Sequence, residues 1–531
     1  MKTKFDFIVI GAGSAGCVLA SRLSEDPNCH VCLIEAGKSD NNVCVQMPAG
    51  LAVSVPYGVN SWHYNTVAQK ALNNRQGFMP RGKVLGGSSS INAMVYIRGN
   101  KYDYDQWAAM GNDGWDFNSL LPYFIKSENN ALFYNNPLHG NDGPLHVQEL
   151  SSASHLNQYF LQACHEQGIA RSLDINGASQ HGARLVQVTQ HQGERCSAAK
   201  AYITPFLQRK NLTVLTDTHV NKILFEGHTA TAVEVVNNNK VVQLFAKKEI
   251  ILSAGAINSP QILMLSGVAD KQDLLNKGIK PVIHLPGVGK NLQDHLTVVP
   301  LYKAKYSLGS FGISMAGVGR ILSGCIKWFS KREGLLTSNF AESHAFINLF
   351  PNSPAPDIQL EFVIGLVDDH NRKLHTGHGY SIHCSLMRPK SRGTVSLADN
   401  NPRTAPLIDP NFLEHPDDLN VLLAGLKKTL KVMQSKGFEP VRSSMVYPLD
   451  INNDEQLIAF IKRTADTEYH PVGTCKMGQD TMAVVDTHLR VHGLHNLRVV
   501  DASIMPTIIT GNTNAPVIAI AEKAADLIIN T

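Results

Sequence analysis

The 531-residue sequence contains no unbroken apolar stretch of about 18 residues, the length a helix needs to cross a bilayer, so no membrane span is expected. A disulfide framework is missing too. Its nine cysteines are an odd number scattered along a long chain, whereas small secreted folds carry closely spaced, paired cysteines. Cys29 and Cys32 stand three residues apart but enter the apolar run Val31 to Ile34 rather than open a helix. They therefore read as buried strand residues, not as a redox pair or a metal site, and no metal is expected. Lys and Arg (48) barely outnumber Asp and Glu (44), and no dense basic cluster marks a nucleic-acid groove. Low-complexity tracts are absent, and 43% hydrophobic with 17% charged residues is an ordinary globular balance. The first residues lead straight into a strand pattern, without the charged region, apolar core and cleavage site of a secretory signal. Together with the cysteine pattern this favours a cytoplasmic protein.

What is present begins at once. Phe5 to Ile10 reads as a buried strand, and Gly11-Ala-Gly13-Ser14-Ala-Gly16 follows, opening into the helical pattern Cys17 to Leu23. In such a unit Gly11 permits a tight turn, Gly13 leaves room for backbone to approach a pyrophosphate, and Gly16 lets the helix pack on the sheet. The helix N-terminus offers N–H groups and the positive end of its dipole to the anion. A second strand, His30 to Ile34, ends in Glu35, about twenty residues beyond the glycines, where a carboxylate suits ribose hydroxyls. This βαβ unit predicts binding of an ADP-containing dinucleotide. It leaves nicotinamide and flavin equally open.

Five further segments extend the pattern: Pro80 to Asn92 (PRGKVLGGSSSIN), Ser253 to Pro260 (SAGAINSP), Gly287 to His295 (GVGKNLQDH), His470 to Met477 (HPVGTCKM), and Val500 to Pro506 followed by Gly511 to Pro516 (VDASIMP, GNTNAP). In this order they resemble the glucose–methanol–choline oxidoreductases, FAD enzymes that oxidise alcohols, over essentially the whole chain. The resemblance implies an α/β fold, α+β overall. A Rossmann-like FAD-binding domain (mainly 1–295, completed by 466–531) would stand beside a substrate-binding domain on a mainly antiparallel sheet (mainly 296–465). It also assigns Gly86, Gly87, Ser88 and Asn92 to a small-residue loop at the flavin, the backbone near Val220 to the adenine, and Asp501 to the pyrophosphate region. Thr213 to Leu215 and His219 to Val220 alternate like a strand pair. Strands are also expected near Asp357 to Val363 and Tyr380 to Leu386.

Two departures from the family pattern stand out. Ile91 occupies the position where covalent members carry the histidine that bonds the flavin; isoleucine has no nucleophilic atom, so the FAD is expected to be non-covalent. In Leu265 to Ala269 an alanine stands where the family often has a second glycine, a small change. Alcohol oxidation needs a base for the hydroxyl proton and flavin N5 for the hydride. The resemblance puts the base at His470, whose imidazole can accept a proton near neutrality. Asn514 matches the second His or Asn of the family and would orient the substrate oxygen. Asn512 is expected to cap the following helix, although the division of labour between the two asparagines stays open.

For the substrate, the family offers primary aliphatic or aromatic alcohols and, as the alternative, choline. Glu342 and Trp62 are the candidate pocket residues, since a carboxylate and a ring face would suit a quaternary ammonium. A hydroxynitrile lyase that keeps its FAD without net redox chemistry is a further alternative. From Ser314 to Arg332, apolar residues recur at helical spacing (Met315, Val318, Ile321, Leu322, Cys325, Trp328, Phe329) with Arg320, Lys327, Lys331 and Arg332 beside them. Such a helix suits peripheral contact with the inner face of the cell membrane and electron transfer to a quinone.

Overall fold

The computed structural model describes residues 2–307 and 309–530. Among them, a seven-stranded sheet is built around strand Lys4–Ile10. Val31–Ile34 and then Leu212–Leu215 lie parallel on one side of it, and Lys240–Leu252 lies parallel on the other. Leu497–Val499, from the far end of the chain, joins the last turn of that arrangement in parallel, with Leu497 opposite Ile250. Where they pair at the centre of the sheet, Phe7 to Ile10, Val31 to Ile34 and Ile250 to Leu252 are continuous buried apolar runs, as required where both faces are covered. Val31, Cys32, Leu33 and Ile34 are all buried, and burial pushes the Cys32 thiol up to about 12, so it has no thiolate character.

Because these strands run the same way, the chain leaves them along one edge. Gly11 follows Ile10, Glu35 follows Ile34, Ser253 follows Leu252 and Asp501 lies just past Val499. The carboxyl edge of such a sheet is where open α/β folds bind their ligands. The expected pairing of Thr213–Leu215 with His219–Val220 is corrected here. Leu212–Leu215 pairs with Val31–Ile34 at one border of the sheet, whereas Thr218–Glu226 pairs antiparallel with Thr229–Asn237 at the other. The first is an apolar strand suited to the parallel core. Thr218–Glu226 alternates between buried and more exposed positions and suits a half-covered antiparallel ribbon.

A second sheet is antiparallel and runs in the order Arg442–Met445, Leu301–Ala304, Gly377–Leu386, Ile358–Val363, Ala341–Ile347, Gly182–Leu185. The two strands expected near Asp357 and Tyr380 are its central pair. Its core is aromatic: Phe362 stacks on Phe160 at 5.0 Å and Tyr380 on Phe438 at 4.7 Å between ring centroids. Leu296–Val298 joins the sheet to Asp466–Thr467, which leads directly into His470. The fold thus delivers His470 to the seam between the two sheets.

Candidate active site

A cavity of about 740 Å³ opens from the glycine loop and reaches His470. The three glycines of the loop have separate physical duties. Gly11 adopts φ +95°, and a side chain there would strike Ser253 O at 2.6 Å. Gly16 lies so close to the preceding turn that a Cβ would sit 1.9 Å from Gly11 O. At Gly13 a Cβ would meet nothing within 4 Å, because the position faces the cavity. Helix Ser14–Leu23 starts there without a side-chain cap or an acidic residue in its first turn, which leaves its N-terminus available to an anion.

The other nucleotide-side residues gather around this loop. Glu35 is buried; its carboxylate accepts from Ala12 N–H at 3.1 Å and Gly37 N–H at 2.8 Å, and burial raises it to about 7. Gly86, at φ +89°, donates its N–H to Ala12 O at 2.7 Å, and Gly87 packs against Gly13. Ser88, Asn92, Val220 and Asp501 line the cavity. Asp501 accepts from Gly255 N–H and Ser259 Oγ and so braces the next helix start against the same edge. Ser253 Oγ is buried in the cavity wall without a partner among the described residues. Open space at Gly13, an uncapped helix end and an orphaned hydroxyl fit the diphosphate and sugar of a bound dinucleotide. Ile91 also lines the cavity, packed with Val45 and Val84, and offers no atom for a covalent link.

Three sequence expectations change at the substrate end. Asn514 is the first residue of helix Asn514–Ile529, and its Oδ1 accepts from Ser14 Oγ at 2.7 Å, tying that helix to the glycine loop. The residue beside the base is Asn512, whose Nδ2 lies 3.2 Å from His470 Nε2. Nor does Asn512 cap the helix, whose N-cap is Thr513. A two-residue offset turns one amide toward the second sheet and leaves the other on the first helical turn, a difference that spacing alone does not reveal. Glu342 is fully buried with its carboxylate consumed by Ser338 Oγ at 2.6 Å, Ser154 N–H at 2.7 Å and Asn157 Nδ2 at 2.6 Å, away from the cavity. Trp62 does reach the cavity, but its ring stacks on Tyr64, abuts His219 and carries Lys83 Nζ 4.2 Å over its face. It lies beside His219, and its face is already taken by a cation.

The geometry around His470 determines its proton. His295 Nε2 faces Met387 O at 3.1 Å; a carbonyl only accepts, so this nitrogen carries hydrogen. Burial pulls His295 well below the ordinary histidine range, so its Nδ1 is a bare acceptor. His470 Nδ1, 3.0 Å away, must then donate to it, which leaves the lone pair of His470 on Nε2, toward Asn512 and the cavity. Burial lowers His470 to about 4, with Glu468 opposing and Arg81 assisting the shift. It is neutral at pH 7 and holds its basic atom where a substrate can reach. Asp294 fixes the backbone, accepting from His470 N–H at 2.9 Å. His295 and Asp294 lie in the GVGKNLQDH segment, but nothing in that spacing announces that they would orient a residue about 175 positions later.

A parallel sheet with a glycine loop at its carboxyl edge, opening on a cavity that ends at a neutral buried histidine, defines a dinucleotide-dependent oxidoreductase. Family models described as GMC oxidoreductase match residues 5–297 and 389–521. The alcohol dehydrogenase (acceptor) of Pseudomonas putida is 44% identical over 528 residues, covering 99% of this chain and 96% of that protein. The mitochondrial choline dehydrogenase of Mus musculus is 41% identical over 546 residues, covering 99% and 90%. Among solved structures, pyridoxine 4-oxidase from Mesorbium loti superposes with a TM-score of 0.88 at 32% identity, covering 98% of each chain. The chain belongs to the GMC oxidoreductase family. It is an FAD-dependent oxidoreductase acting on CH–OH donors.

Proposed function

We propose that the protein oxidises a primary alcohol, aliphatic or aromatic, to the aldehyde, with His470 as the base. The observation that carries this reading is the chain of contacts His470 Nδ1 to His295 Nδ1 at 3.0 Å and His295 Nε2 to Met387 O at 3.1 Å, which leaves the free lone pair on His470 Nε2. Asn512 Nδ2 holds the hydroxyl oxygen beside that atom, and once the proton is taken Glu468 offsets the new imidazolium charge. FAD, when bound, supplies the hydride acceptor. Gly13, Ser14 and Glu35 at one end, and Gly87, Ser88, Asn92 and Val220 along the wall, would hold it. Choline, the substrate named for one relative, is the less favoured reading because Glu342 is fully hydrogen-bonded and Trp62 is covered by Lys83. A His470→Ala variant should keep its FAD and lose about 10²- to 10⁴-fold in turnover; normal turnover with bound flavin would refute the assignment.

For the electron acceptor we favour a quinone reached at the membrane surface. Helix Met315–Lys331 buries only Gly317, Gly324 and Trp328. Met315 (91% exposed), Ile326 (71%), Phe329 (63%) and Leu322 (61%) face outward, and Lys327 and Lys331 stand on the same helix. Ile321 and Cys325 meanwhile line the cavity, so the helix forms a wall between cavity and surroundings. This arrangement supports docking of the helix on anionic lipid. Co-sedimentation with vesicles containing phosphatidylglycerol at low salt is expected; protein that stays entirely in the supernatant would overturn the docking.

A further inference from the structure

The second sheet carries chemistry that alcohol oxidation alone does not use. Its three adjoining strands set His344 opposite Glu361 and Glu361 opposite His383, a single polar row across the sheet. Glu468, two residues before His470, approaches this row with a carboxylate oxygen 3.4 Å from His383 Nδ1. Glu361 Oε1 accepts from Gln359 Nε2 at 2.8 Å and from Asn512 Nδ2 at 3.3 Å. Glu361, Glu468 and His383 all line the cavity and are all buried. Burying two carboxyl groups against each other is tolerable only if they share a proton. Burial and the neighbouring Glu468 charge raise Glu361, while His383 holds Glu468 low against the cost of its own burial. The pair therefore carries one negative charge in a site where His344 and His470 are neutral.

A second observation points to a ligand. His383 is only 9% exposed, yet its Nε2 has no hydrogen-bond partner among the described residues, and neither has the buried Gln359 Oε1. Buried polar atoms are almost always satisfied. An orphaned imidazole nitrogen on the cavity wall, beside a buried pair of carboxyl groups, marks the place of a polar group that arrives with the substrate. Oxygen acceptors and an imidazole suit a cation that donates hydrogen bonds. A quaternary ammonium has no N–H to give, and it would ask instead for open ring faces.

We propose that Glu361, Glu468 and His383 form a recognition site for a protonated, N–H-bearing nitrogen on the substrate, so that the preferred substrates are alcohols carrying an amine. Asn512 Nδ2 lies 3.2 Å from His470 Nε2 and 3.3 Å from Glu361 Oε1, which places the hydroxyl and the nitrogen a few bonds apart. The inference rests on the reading of His470 as the alcohol base.

Anaerobic flavin reduction of the holoenzyme tests both. Amino alcohols with three- to six-carbon chains are compared with their isosteres in which methyl or trimethylammonium replaces the ammonium group. The best amine should exceed its methyl isostere by about tenfold or more in reduction rate over dissociation constant, the scale of one charge-assisted hydrogen bond. In Glu361→Gln and Glu468→Gln that ratio should collapse toward unity. Should a variant not retain flavin, competition in the wild-type enzyme decides: propylammonium should inhibit more strongly than tetramethylammonium. Equal or faster reduction by the methyl isosteres, or a trimethylammonium compound as the best substrate, overturns the inference and leaves the base assignment standing. Absence of reduction by every alcohol overturns both.

Discussion

Replacing Asn512 and Asn514 separately by alanine distinguishes two asparagines two residues apart, of which the family resemblance assigned the substrate contact to Asn514 while the geometry assigns it to Asn512. Asn512 touches His470 Nε2 at 3.2 Å and Glu361 at 3.3 Å, and accepts from Gln359 Nε2 at 3.1 Å. During proton abstraction Nε2 gains the proton and gives up its contact with the amide, while the amide's N–H bond to the developing alkoxide becomes charge-assisted, worth about 1.5–3 kcal/mol. At about 1.4 kcal/mol per decade, Asn512→Ala should slow flavin reduction by roughly 10- to 150-fold. Asn514 instead makes a neutral bond to Ser14 Oγ at 2.7 Å. Its loss of about 0.5–1.5 kcal/mol should weaken FAD binding by roughly 2- to 12-fold and leave the reduction rate of the flavin-loaded enzyme within about twofold. Stopped-flow reduction under nitrogen reads the first effect, and recovery of flavin fluorescence on dilution reads the second. If Asn514→Ala proves the slow variant and Asn512→Ala reduces normally, Asn512 is not the residue that works beside the base.

The acid limb of the reduction rate should lie near pH 4 rather than 6.5, because burial lowers His470 to about 4 and protonation of this group removes the base; a limb centred near 6.5 would refute the burial argument. By the same linkage the unfolded chain takes up a proton at His470 as pH falls through about 6.5 while the folded chain does not until about 4, so this residue contributes acid destabilisation in that window. Gly13→Ala and Gly16→Ala should fail in different ways. A Cβ at Gly13 enters the cavity and strikes no protein atom, so the chain should fold and circular dichroism should stay unchanged while flavin binding is lost. A Cβ at Gly16 would sit 1.9 Å from Gly11 O, so expression or thermal stability should suffer first.

The sequence by itself determined the cofactor half of this protein. Strand, glycine turn, helix and Glu35 are neighbours in sequence, so spacing was enough to assign the βαβ unit, although the clash that requires glycine at position 11 comes from the distant Ser253. His470 was legible for the same reason, through the motif around it. Tertiary structure decided everything that depends on residues meeting from distant segments. Which nitrogen of His470 is free follows from His295 and Met387; which asparagine faces it follows from how the chain enters its last helix. Glu342 and Trp62 carry suitable chemistry in sequence, yet packing assigns one to an internal hydrogen-bond network and the other to a stack with Tyr64 beside His219. The row His344, Glu361, His383 depends on the register of three antiparallel strands. A slip of one residue in any of them would point those side chains to the opposite face, and no spacing in the sequence specifies the register from one strand to the next.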